Sequence, residues 1–130
     1  MTRYALAAAV AAHGVIHLIG FVVPWHLAAV EGFPYRTAVL GGAGDLGDLG
    51  VRLVGIIWLA CAMGFIVAAV GIGRHTSWAI PLTAALAALS LAVCVIGLPE
   101  TAAGIAVNMA ILAGAAWAAR ARMLSVEVAS

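Results

Sequence analysis

The stretch Val51–Gly73, VRLVGIIWLACAMGFIVAAVGIG, decides the fold. Its one charge, Arg52, sits at its mouth. A helix of about 20 apolar residues crosses a hydrocarbon core about 30 Å thick. In that core a helix satisfies its backbone polar groups within its own segment. Three more runs, Tyr4–Val23, Trp78–Leu98 and Thr101–Ala119, contain no Asp, Glu, Lys or Arg. The pattern predicts an all-α, integral membrane, up-and-down four-helix bundle. Residues 1–130 would form a single membrane domain, with residues 24–50 as its long outer loop.

Composition supports this class. The 130-residue chain is 66 % hydrophobic and 8 % charged, where a soluble domain carries about 25 % charged residues. Mean hydropathy is +1.20. The expected surroundings are a lipid bilayer. A net charge of +1 gives no reason to expect nucleic acid as a partner. Cys61 and Cys94 both fall inside apolar runs and form no CxxC motif, so they read as small buried hydrophobes. The first run is longer than the apolar core of a signal peptide and carries His13 and His17. It reads as a retained span.

The arginines set the expected topology. Arg3, Arg74, Arg120 and Arg122 share one side with Glu127, whereas Arg36 and Arg52 share the other with Glu31, Asp45, Asp48 and Glu100. The positive-inside rule then puts both termini in the cytoplasm of a bacterial inner-membrane protein. Trp25, Trp78 and Trp117 lie near span ends, as aromatic belts do. Small residues at four-residue spacing mark helix contacts in lipid. They occur as Ala60/Gly64/Ala68, Ala84/Ala88/Ala92 and Ala110/Gly114/Ala118, which supports a tight bundle without fixing its faces; a leucine at Gly114 would tell a helix contact from a lipid-facing position.

Polar residues at membrane depth face the interior of a bundle. His13 and His17 are four apart on one helix face. At 1.5 Å per residue, His17 lies about 9 Å below the outer surface and His13 about 15 Å. Trp58 and Asn108 fall at about 10 Å, Ser90 at about 12 Å and Cys61 at about 15 Å on the same ruler. His13, His17, Trp58, Ser90 and Asn108 are therefore the candidate ligand-binding residues. Both imidazoles are expected to face Asn108 and Ser90. Three roles fit the pair: hydrogen-bonded glue between helices, a ligand or proton site, and metal or haem ligation. A small metal would need more ligands, and no carboxylate lies at that depth, so no metal site is assigned. Two histidines on one helix face cannot reach opposite faces of one haem.

The loop contains Gly42-Ala-Gly-Asp-Leu-Gly47, a literal G-x-G-x-x-G. No adequate strand precedes it, and Asp45 and Asp48 would repel a pyrophosphate, so it is not read as a dinucleotide site. It reads as a turn in which Asp caps the second span. The loop is also long enough to fold back as a lid over the bundle. Trp25, His26, Glu31, Tyr35, Asp45 and Asp48 would then form its outer rim, with a cavity beneath Trp25 and Tyr35.

The size, the four spans, the long first loop and the His-Leu-Ile-Gly-Phe segment at 17–21 resemble small bacterial four-helix membrane proteins of the DoxX-like kind. That resemblance implies subunits of quinone-reducing oxidoreductases among its members, and it transfers no functional residue. The favoured expectation is a non-enzymatic small integral membrane protein, either a subunit of a larger complex or a homo-oligomer. It would bind a small apolar or amphipathic ligand in the outer half. The alternatives are a redox-linked membrane enzyme subunit using quinone or haem, and a small transporter. The halves show no inverted repeat and no span looks broken, which argues against the transporter.

Overall fold

The computed structural model describes residues 2–129, with side chains described through residue 121. Arg122 and Glu127, which enter the charge asymmetry, therefore lie outside the described side chains. The chain folds as α1 (Thr2–Ile16), α2 (Ile19–Val22), a short antiparallel hairpin of β1 (Ala38–Val39) and β2 (Gly44–Asp45), α3 (Gly47–Gly73), α4 (Ala79–Ile96) and α5 (Ala102–Ala129). Thr2–Val22, Gly47–Gly73, Ala79–Ile96 and Ala102–Ala121 are each long and apolar enough to cross a membrane.

Neighbours in sequence are neighbours in space. α1 packs along α3, α3 along α4 and α4 along α5. The short link between α3 and α4 turns at Thr76, whose hydroxyl donates to Gly71 O at 3.1 Å. The core is small and tight. Phe65, Ala68 and Ala87 are fully buried, with Val10, Ile72 and Ala79 around them.

The first span is broken, contrary to the sequence reading. At His17 and Leu18 the α-helical ladder gives way to tighter turns. His17 N–H donates to Gly14 O at 3.1 Å, and Leu18 N–H to Val15 O at 3.0 Å. The cause is local: the His17 imidazole Nδ1 lies 2.7 Å from His13 O, the carbonyl that His17 N–H would meet in a regular helix.

One other expectation changes. The last helix runs ten residues beyond the expected span end at Ala119, to Ala129. Ala, Arg, Met, Leu and Glu, all strong helix formers, populate that extension. The packing faces of α4 and α5, which the small-residue stripes leave open, are turned away from much of those stripes. Ala88, Ala92 and Ala110 are exposed, and a Cβ at Gly114 would meet nothing within 4 Å. The close approaches are elsewhere. A Cβ at Gly14 would sit 2.8 Å from Phe65 Cβ and 3.0 Å from Ala62 O, and one at Gly20 would sit 2.4 Å from the Trp58 ring.

Candidate functional site

α1 carries His13 inward, the turn that follows it carries His17, α4 carries Ser90 and α5 carries Asn108; all four are buried. His17 Nε2 lies 2.6 Å from Ser90 Oγ, and His13 Nε2 lies 3.1 Å from Asn108 Oδ1. Asn108 Nδ2 donates to Ser90 Oγ at 2.7 Å and to Cys94 Sγ at 3.7 Å. Polar side chains thus tie the first span to α4 and α5, beside the apolar core that these helices share, and α1 packs directly on α3 at Gly14.

For neutral imidazoles, one backbone carbonyl orients the whole chain of hydrogen bonds. His13 O can only accept, so His17 Nδ1 carries a proton and His17 Nε2 is an acceptor. Ser90 must then donate its single hydroxyl proton to His17. Ser90 Oγ in turn accepts from the Asn108 amide nitrogen. The other end of that amide is the oxygen facing His13, so His13 Nε2 donates. The circuit is closed from His13 O round to the His13 ring, and it satisfies every polar atom in it except His13 Nδ1.

Trp58 also joins the group. Its indole lies 5.0 Å, centroid to centroid, from the His17 ring. Gly20 rests against the indole, because a side chain there would collide with it. Phe65 closes the floor, 4.9 Å from His13 and 5.2 Å from His17. The structure therefore brings His13, His17, Trp58, Ser90 and Asn108 together, as the depth ruler predicts. Cys94, which sequence reasoning set aside as filler, borders the same group. Its position four residues after Ser90, one turn along α4, is the signal that could have flagged it.

A cavity of about 260 Å³ opens above this group. His13, His17 and Cys94 form its inner end, and α1, α2, α3 and α5 supply apolar walls. Phe33 and Pro34 of the long loop roof it. At its rim Arg36 pairs with Glu100 at 2.9 Å, and Gly41 N–H donates to Leu98 O at 3.1 Å. These two links fasten the loop to the α4–α5 turn.

The expected outer rim is a different structure. None of Trp25, His26, Glu31, Tyr35, Asp45 or Asp48 lines the cavity, and the cavity lies beneath Phe33 and Pro34 instead of Trp25 and Tyr35. Their polar groups are spent within the loop and on α3. Trp25 Nε1 donates to Arg52 O at 3.1 Å. The His26 and Tyr35 rings stand 4.4 Å apart, and Tyr35 Oη donates to Asp48. That bond, above all, holds the Tyr35 phenol above its ordinary titration range. Asp45 accepts from Thr37 Oγ1 at 3.1 Å and from Gly47 N–H at 2.7 Å in the turn that leads into α3, whose N-cap position is Leu46. Glu31 is exposed. The turn expected at residues 42–47 is there, but Leu46 and not an Asp occupies the N-cap of α3, and the acidic rim does not line the cavity.

Among the described residues, no three His, Cys, Asp or Glu side chains gather as a metal site. The chain matches no protein-family profile, no curated protein and no solved structure. The DoxX-like resemblance rests on architecture and on residues 17–21 alone.

Proposed function

We propose that this chain is a multi-pass protein of a bacterial inner membrane. It folds as an up-and-down four-helix bundle and binds a small apolar or amphipathic molecule in its outer half. The supporting observation is the roofed apolar cavity that ends on the buried histidine pair. At about 260 Å³ it falls just below the range of about 300–1,000 Å³ for drug-sized ligand sites. Its occupant is therefore one ring or a short chain segment, with the rest of the molecule outside. Both termini lie in the cytoplasm, and the protein acts as a homo-oligomer or a subunit of a larger complex.

Ala103 is exposed and lines the cavity. Ala103→Phe puts a ring at its lip without disturbing the polar chain. Protein purified in nanodiscs with native lipids should release an identifiable small molecule on extraction. Ala103→Phe should retain at least about tenfold less of it, with unchanged thermal stability, since exposed substitutions cost little. Equal ligand content in both proteins would refute the site. Topology has its own test. Ala43→Cys should react with a membrane-impermeant maleimide on intact cells, and Ser77→Cys only after lysis. The reverse pattern would invert the orientation.

A further inference from the structure

His13 leaves one position unused. Its Nε2 proton goes to Asn108, so Nδ1 holds a lone pair. That nitrogen has no partner among the described residues, and His13 is only 8 % exposed and lines the cavity. Among the described residues the only buried side-chain nitrogen or oxygen without a partner is Arg52 Nε, so His13 Nδ1 is an accessible acceptor rather than a sealed one. The other members of the polar chain are spoken for: a ligand bonding to His17 Nε2 or Asn108 Oδ1 would have to break a bond already made.

We propose that the cavity takes a neutral amphiphile whose O–H or N–H donates to His13 Nδ1, and that it arrives sideways between α1 and α5. This rests on the proposed ligand site and adds the chemistry of the head group and its route. An anionic head group finds no free cation in the cavity, because Arg36 at the rim is already paired with Glu100. Burying an unpaired charge there would be prohibitive. A ketone or ether offers only acceptors, which His13 Nδ1 cannot meet. A phenol, an alcohol or an N–H heterocycle supplies the missing donor.

The route follows from the packing. α1 lies along α3 and α5 along α4, and the His13–Asn108 bond crosses from α1 to α5. Above that link Ile16 of α1 and Val107 of α5 both line the cavity, and they are 59 % and 43 % exposed. From above, the loop is fastened across by Arg36–Glu100. The lateral gap faces the zone where an amphiphile dissolved in lipid resides.

Two matched probes test this in nanodiscs: 4-octylphenol, which donates, and 4-octylanisole, its methyl ether, which cannot. The phenol should bind at least about tenfold tighter. In protein carrying nitrogen-15 histidine, the phenol alone should shift the His13 Nδ1 resonance while Nε2 stays protonated. His13→Phe should bring the two affinities together. Val107→Trp should slow association of both probes. Equal affinities in the native protein, or an unmoved Nδ1 signal, would overturn the head-group assignment while leaving the ligand site standing. Unchanged association in Val107→Trp would overturn the lateral route. Binding of neither probe would overturn this proposal and the ligand site together. The nitrogen measurement needs no variant, so a failure of His13→Phe to fold leaves the test decisive.

Discussion

Asn108→Leu is expected to destabilise the protein by about 2–4 kcal/mol, the largest loss of any single polar substitution. Leu keeps the approximate volume but removes one acceptor and two donors. His13 Nε2–H then faces no oxygen, and Ser90 Oγ loses its donor. Each buried group left unmet costs about 1–3 kcal/mol. Interhelical hydrogen bonds in membrane proteins average about 0.6 kcal/mol in double-mutant cycles, because the separated helices find other partners. The unmet-group figure governs here, since Asn108, Ser90 and His17 are at most 1 % exposed and no lipid or water can replace the lost partner. Ser90→Ala leaves His17 Nε2 and one Asn108 proton unmet and should cost somewhat less. The two should combine to less than their sum, because they break a shared bond. Reversible unfolding in mixed micelles measures all three variants. A loss below about 0.5 kcal/mol for Asn108→Leu would show that the polar chain contributes nothing to holding α5.

The polar group was legible from sequence because the four apolar runs hold so few polar side chains. His13, His17, Ser90 and Asn108 stand out against apolar runs, and a ruler of 1.5 Å per residue suffices to align them. Which atom donates to which was not legible, since it depends on His13 O being taken by a side chain. The same event breaks the helix at His17, and nothing in the composition of residues 4–23 announces it. The loop misled for another reason. Aromatic and acidic residues in a long segment suit a lid, yet Trp25, Tyr35, Asp45 and Asp48 are consumed in attaching that loop to itself and to α3. The roof falls to Phe33 and Pro34, whose side chains carry no polar group to spend, while Arg36 at the rim fastens the loop to Glu100.

Gly14→Leu should separate α1 from α3, and Gly114→Leu should do nothing measurable. Both glycines stand in apolar helices rich in alanine, and only Gly114 belongs to a small-residue stripe. The structure puts the contact at Gly14. A Cβ on Gly14 would lie 2.8 Å from Phe65 Cβ and 3.0 Å from the carbonyl oxygen of Ala62, neither of which is the free end of a flexible side chain. Relief requires α1 to move away from α3. Overpacking of this kind costs about 1–3 kcal/mol, occasionally more. The upper end is expected here, because moving α1 also draws His13 and His17 from Asn108 and Ser90. At Gly114 the face is open, so a leucine there meets lipid and should shift stability by no more than about 0.5 kcal/mol. If Gly14→Leu destroys ligand retention while Gly114→Leu preserves it, the cavity depends on the α1–α3 contact. If Gly114→Leu proves the more damaging of the pair, α5 must pack against a surface outside this chain, and the protein works as an oligomer through that face.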